Sequence, residues 1–170
     1  MHGEGEAGLA QLRQGHQALV VIGMELFRPV CLLLLAEAVG YVGQVKDGLR
    51  LLSEALTMLE INGQGDLLAE AYRLQGAFLL RQAVPQPDQA EACFQQALTI
   101  ARRQQAKSWE LRVAMSLARL WQQQGQGAAA YQVVAEVYGW FTEGFETADL
   151  QEAKALLAML AGSAGYDLTC

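Results

Sequence analysis

An eight-residue segment recurs four times along the chain, at intervals of 40, 42 and 40 residues. The four copies begin at Gly8, Gly48, Ala90 and Ala130. Each copy starts with a small residue, has a larger apolar residue four positions later and usually a second small residue three positions after that. These positions share one face of a helix. A repeat of this length is typical of chains built from stacked supersecondary units.

A second recurring segment precedes the last three copies and has the same order of small and large residues. It covers residues 32–39, 72–79 and 114–121. Turn-forming sequences lie within the resulting pairs at 43–44, 85–88 and 125–127, and between two pairs at 62–66. The sequence therefore predicts helix pairs.

The ends of the chain complete this scheme. The amphipathic segment 148–160 is predicted to be a terminal capping helix. Ala, Leu, Gln and Glu dominate the composition and β-branched residues are few, which favours an all-α fold. We expect one repeat domain over residues 1–161, with about three and a half helix pairs and the cap. A flexible tail over residues 162–170 is expected to follow.

Charge and cysteine content exclude several classes of protein. The net charge of −6 has the wrong sign for direct binding to nucleic acid. The three cysteines, Cys31, Cys93 and Cys170, are widely spaced and fit neither a disulfide framework nor a zinc site, which favours a reducing, cytoplasmic setting. The longest apolar run, residues 30–36, is too short to span a membrane. We therefore expect no nucleic-acid or membrane partner.

The pattern of small and apolar residues resembles the tetratricopeptide repeat. The matching positions are Leu35-Ala36, Gly43, Gly48, Leu52 and Ala55 in one unit, Gly76, Ala90, Phe94 and Ala97 in the next, and Leu117-Ala118, Trp121, Gly125, Ala130, Val134 and Val137 in the last. This resemblance implies a right-handed α-solenoid of antiparallel helix pairs. The family's period of about 34 residues is shorter than the spacing here, so HEAT-like helix pairs stay an alternative.

Three longer segments, residues 90–98, 101–112 and 138–145, resemble a more specific group of proteins. They are similar to the C-terminal repeats of large bacterial regulators, which join an adenylate or guanylate cyclase-like or a DNA-binding output domain to a predicted ATPase. This resemblance implies that the chain is the C-terminal fragment of such a protein and acts as a protein-binding scaffold. Its partner would be a protein or peptide, for example a neighbouring ATPase, cyclase or output domain.

Residues that could support catalysis are isolated or have a structural explanation. His2 and His16 are the only histidines and have no candidate zinc or triad partners. The acidic residues between 143 and 152 stand at the start of the last predicted helix, where they complement its dipole. Cys93 stands at a small-residue core position beside Phe94. We therefore expect no catalytic, cofactor-binding or metal-binding residues, and a small hydrolase is the weakest alternative.

The repeat resemblance predicts a partner-binding concave face, lined by the first helix of each pair. Its predicted residues are Glu37, Tyr41, Arg73, Ala77, Arg81, Arg112, Met115, Arg119 and Gln122. Four of them are arginines, whose planar head groups bind carboxylates through two hydrogen bonds. The face would then accept an acidic or C-terminal peptide, or a neighbouring domain. In an equally open alternative, these arginines pair with glutamates on adjacent helices.

Self-association is a second functional hypothesis. A repeat array that begins within a helix pair would expose the unpaired apolar face of its first helix. Leu9, Leu12 and Leu19 would form that patch. The chain would then form a homo-oligomer through its N-terminal helix, without a separate partner.

Overall fold

The computed structural model describes residues 2–63 and 65–164, and this part of the chain is helical without any strand. The helices are α1 His2–Val21, α2 Arg28–Tyr41, α3 Val45–Ile61, α4 Leu68–Leu80, α5 Pro87–Arg103, α6 Lys107–Gln123, α7 Gly127–Tyr138 and α8 Ala148–Ala164. Two short 3₁₀ turns, Glu25–Phe27 and Gly65–Leu67, precede α2 and α4. The predicted all-α class is confirmed.

Each predicted helical segment lies within one of these helices. The predicted turns lie between them, except that residues 87–88 already belong to α5 and residue 127 to α7. The structure extends the last helix beyond its expected end. Because α8 runs to Ala164, residues 162–164 of the predicted tail are helical. Leu160 and Ala161 of α8 are buried, and this packing favours a helix that continues beyond its expected end at residue 160. The rest of the predicted tail, residues 165–170, lies outside the described residues.

Four of the connections have the same backbone geometry. Gly23, Gly43 and Gly125 have positive φ angles of 71°, 81° and 77°, and Gln105 takes the same conformation with φ 55°. In each case the next residue donates its N–H to a carbonyl five positions earlier, as in the bond of 2.9 Å from Gln44 N to Val39 O. This is the Schellman end of a helix, which glycine adopts at the lowest steric cost.

The chain forms two compact units, Met1–Cys93 and Phe94–Cys170, and the division lies inside α5. It falls within the single repeat domain that we expected over residues 1–161. In the first unit α1 packs on α2, α2 on α3 and α3 on α4. Its main core consists of Leu32, Leu33, Ala36, Leu52, Ala55, Leu56, Leu59, Ala71, Leu74 and Phe78.

Phe78 of α4 is the aromatic ring of this core, and two glycines make room for it. A Cβ atom added to Gly48 of α3 would lie 2.1 Å from Phe78 Cε1, and one added to Gly40 of α2 would lie 2.5 Å from Phe78 Cζ. Neither distance is compatible with a side chain. The two glycines therefore allow α4 to approach α2 and α3 closely.

In the second unit α6 packs on α7, and α8 contacts both of these helices. The larger buried side chains include Leu111, Leu117, Val134 and Leu160. Glu110 is also buried, and it accepts hydrogen bonds from Arg102 Nε at 3.0 Å and Lys107 Nζ at 2.7 Å. These two cations compensate the cost of burying its carboxylate.

No helix within the described ranges has the length and apolar character that crossing a membrane requires.

Candidate protein-binding surface

The nine residues of the predicted concave face are divided between the two units. Five lie in the first unit, of which four are on α2 and α4 and Arg81 directly follows the end of α4, and four lie on α6 of the second unit. On α2, Tyr41 is 82% exposed and Glu37 is half-buried. Glu37 has no hydrogen-bond or ion-pair partner among the residues that the structure describes. These two side chains are therefore available to a partner.

Arg73 on α4 and Arg81, which directly follows α4, already form hydrogen bonds within the protein. Arg73 donates from Nε to Glu70 Oε2 at 2.7 Å and from Nη2 to Glu70 Oε1 at 2.6 Å, so both carboxylate oxygens are used. Arg81 donates from Nη2 to the carbonyl oxygen of Gly40 on α2 at 2.7 Å. Ala77, which lies between these two arginines in the sequence, is half-buried. The contact of Arg81 joins α4 to the C-terminal turn of α2.

On α6 the two arginines pair with the last helix. Arg112 Nε donates to Asp149 Oδ2 at 2.7 Å, and Arg119 Nη2 donates to Glu152. Asp149 and Glu152 thus do more than complement the dipole of α8. Gln122 is half-buried. Met115 is only 3% exposed and packs in the interior, so including it in a partner-binding face was wrong.

All four arginines of the predicted face therefore have a partner inside the protein. This arrangement corresponds in part to the alternative of intramolecular pairing. Arg119 pairs with a glutamate of another helix, whereas Arg112 uses an aspartate, Arg81 a backbone carbonyl and Arg73 a glutamate of its own helix. Binding of an acidic peptide there would compete with these contacts. The arginines alone are thus a weaker argument for a binding site than the sequence suggested.

The patch predicted for self-association does not form as expected. Leu9 is buried, because it packs against Leu35 and Val39 of α2 in a small core cluster. Leu12 packs against the same cluster, and Leu19 is half-buried. The predicted apolar face of α1 is thus covered by the next helix of the same chain.

A different apolar surface is exposed nearby. Every residue from Val20 to Phe27 is exposed, although most of this connection between α1 and α2 is apolar. We name this surface, together with two exposed residues of α2, the apolar edge. It consists of Val20, Val21, Ile22, Met24, Leu26, Phe27, Val30 and Leu34. Other connections are polar, for example residues 104–106 and 124–126. An apolar patch of this kind on a protein surface indicates an interaction site.

On α2 the apolar edge follows the periodicity of the helix. Phe27, Val30 and Leu34 are separated by three and four positions, and Tyr41 follows two turns later on the same face. All residues from Pro29 to Ala36 are apolar, so the other sides of α2 can fill the core while this face stays exposed. A helix that is apolar on all sides is expected to be covered on all sides.

The repeat itself shows how this face is used elsewhere in the first unit. With the repeat offset of 40 residues, Leu34 of α2 corresponds to Leu74 of α4. Leu34 is 46% exposed, whereas Leu74 is 5% exposed and belongs to the core formed with α2 and α3. The face of α4 that is covered by the preceding helices thus corresponds to the open face of α2.

Arg28 compensates part of the negative charge close to the apolar edge. Arg28 donates from Nη1 to Glu25 Oε2 at 2.7 Å and from Nη2 to Glu54 Oε1 at 3.2 Å. These bonds also tie the beginning of α2 to α3. The edge therefore presents apolar side chains with little net charge, which suits contact with another apolar protein surface.

Chemically reactive groups offer no comparable site. The described residues contain no group of three or more His, Cys, Asp or Glu side chains that could hold a metal ion. Cys93 is half-buried and its thiol donates to Gln75 Oε1 over 3.6 Å. Burial raises the pKa of the Cys93 thiol, so it is protonated and weakly nucleophilic at neutral pH.

Sequence periodicity missed the apolar edge for an identifiable reason. The helix pattern depends on the alternation of small and large residues, and in a run such as residues 30–36 every position satisfies the apolar requirement. Two signals were present: the unbroken apolar run, and the apolar residues 20–27 at a position where the repeat predicts a polar turn. Both signals indicate more apolar surface than one helix pair can bury.

Comparison with known proteins supports the fold. No protein-family model matches the chain, and a search of curated proteins found no match. Among solved structures, the chain is similar to the crystal structure of BtubC (BKLC) from P. vanneervenii, with a TM-score of 0.63 and 18% sequence identity. The match covers 95% of this chain and 65% of that chain, so this chain spans less than two thirds of its length. At this identity the likeness concerns the fold alone.

Proposed function

We propose that the chain is a protein-binding module, and that it binds its partner through the apolar edge. The observation that supports this most directly is the exposure of Leu34, at a position whose repeat equivalent, Leu74, is buried by neighbouring helices. A partner that covers Leu34 would remove apolar surface from water, which is the main driving force of protein association. Tyr41 and Glu37 lie on the same face and would add polar contacts.

We further infer that the helix pairs stack as a right-handed, tetratricopeptide-like α-solenoid in the cytoplasm. The repeat offset of 40 to 42 residues and the recurring Schellman turns support this arrangement. The resemblance to bacterial regulators supplies a setting, in which the chain is the C-terminal repeat region of a signalling ATPase, cyclase or transcriptional regulator. In that setting the protein has no enzymatic activity of its own and holds a neighbouring domain.

Site-specific photo-crosslinking tests the proposal. A photoreactive phenylalanine analogue replaces Leu34 in one variant and Met159, a similarly exposed apolar residue of α8, in a matched control. We expect the Leu34 variant to give specific protein adducts in a bacterial lysate and the Met159 variant to give none above background. Equal labelling by both variants, or no adduct at Leu34, would contradict the proposed binding surface.

A further inference from the structure

We propose that the apolar edge binds a second copy of this chain, and that the two copies form a twofold-symmetric dimer in which the two α2 helices run antiparallel. This inference rests on the proposed function, because it names the partner of the same surface. The α2 helices would meet through Val30 and Leu34, and the connection at Val20 to Phe27 would extend the contact.

The exposed area of the apolar edge is comparable to the area that one partner buries in a stable dimer. An aromatic side chain presents roughly 150–250 Å² when it is fully exposed, and the seven non-aromatic residues of the edge lie near the lower end of that range. The eight residues of the edge are 37–76% exposed, so together they present on the order of 700 Å², compared with about 300–600 Å² for the largest apolar patch of a typical monomer. Stable dimers bury about 800 Å² on each partner. The apolar edge thus supplies most of the area that one side of a dimer needs.

The charge distribution of the chain favours contact between two copies at the apolar edge. The chain has a net charge of −6, so two copies repel each other over most of their surfaces. At the apolar edge, however, Glu25 and Arg28 form an ion pair at 2.7 Å, and the exposed residues around them are apolar. Two copies would therefore meet with least repulsion at this surface. The same acidic net charge and the lack of unpaired cations there make an anionic membrane surface a poor partner.

A twofold arrangement would also give the carboxylate of Glu37 a partner. In an antiparallel α2 pair centred between Val30 and Leu34, Glu37 of one copy lies opposite residues 27 and 28 of the other. That position is the N-terminus of α2, where the helix dipole is positive. Glu37, which has no partner within the described residues, would gain one from the second copy.

A twofold arrangement also closes the assembly. Both copies use the same surface, so no apolar edge stays exposed and growth stops at two chains. A head-to-tail contact between the edge of one copy and α8 of the next would leave an edge open and would produce longer assemblies. The stoichiometry therefore distinguishes the two arrangements.

Analytical ultracentrifugation of the purified full chain over a concentration series tests the inference. We expect a reversible monomer–dimer equilibrium, with a dissociation constant raised at least about tenfold by Leu34→Asp, since this places a charge at the centre of the contact. Met159→Asp changes a similarly exposed apolar residue and should leave the equilibrium unchanged. Circular dichroism establishes that both variants stay folded.

A disulfide trap provides a second measurement. In a background in which Cys31, Cys93 and Cys170 are replaced by serine, a mixture of Val30→Cys and Leu34→Cys chains should form a disulfide-linked dimer under mild oxidation, because these two positions lie opposite each other in the proposed pair. Met159→Cys should stay monomeric. A chain that is monomeric at every concentration, a dimer unaffected by Leu34→Asp, or assemblies larger than dimers would overturn the inference. If the chain is monomeric but Leu34 still crosslinks to another protein, the binding function stands and only the second copy is excluded. If neither association nor crosslinking occurs, both proposals fail.

Discussion

Leu34 and Leu74 stand at the same position of two successive helix pairs, and their surroundings differ. Leu74 is enclosed by residues of α2 and α3, whereas Leu34 is 46% exposed at the surface of α2. The residue type and the local helical conformation are the same. The difference shows that the burial of this position depends on the helices that pack against it.

The glycines of the repeat show the same contrast. Gly48 of α3 and Gly8 of α1 are equivalent by the offset of 40 residues. Gly48 is in close contact with the ring of Phe78, while a Cβ atom added to Gly8 would meet nothing within 4 Å. The α2 residue equivalent to Phe78 is Ala38, which needs no such space. At this position α3 and α4 are therefore closely packed, whereas Gly8 of α1 has open space around it.

The largest predicted effect distinguishes the two leucines. Leu74→Ala should lower the free energy of unfolding by about 2–4 kcal/mol, because it leaves a cavity in the core. Leu34→Ala removes the same atoms from an exposed site and should cost less than about 1 kcal/mol in the monomer. Urea unfolding of both variants, at concentrations below dimer formation, measures the difference. Equal losses would show that Leu34 is buried in solution.

The next prediction concerns the glycine pair. Gly48→Ala should destabilise the protein by about 1–3 kcal/mol, because the new methyl group overlaps Phe78, whose ring is also in close contact with Gly40. Gly8→Ala, in an open helical position, should stabilise it by up to about 1 kcal/mol. Thermal melts followed by circular dichroism check both signs. A neutral Gly48→Ala variant would mean that α4 does not approach α3 this closely.

The smallest predicted effect concerns α6, whose arginines contact α8. Arg119 and Glu152 are 42% and 56% exposed in their side chains, so Glu152→Gln should cost no more than about 1 kcal/mol. The loss should shrink further at high salt, which screens an exposed ion pair. Urea unfolding at two ionic strengths provides the measurement. A larger loss that is independent of salt would indicate a tightly packed, desolvated contact.

Much of the helical architecture could be predicted, because it depends on local pattern. The recurrence of small and large residues located the helices, and glycine at residues 43 and 125 marked turns that require a positive φ. Gln105 shows the limit of this rule, since it adopts the same conformation without being glycine. The ion pairs of Arg112 and Arg119 were foreseen only as an alternative, because their partners on α8 lie more than thirty positions away.

The sequence by itself determined the all-helical class, the order of the helices and the turns between them, since helix periodicity and turn chemistry act over a few residues. Only the tertiary structure decided which apolar positions are covered. In α2, where residues 29–36 are all apolar, no local pattern distinguishes Leu34 from its buried neighbours Leu33 and Leu35. Burial depends on neighbouring helices: α1 covers Leu35, α3 and α4 enclose the cluster that contains Leu33, and none of the described helices covers the face with Leu34.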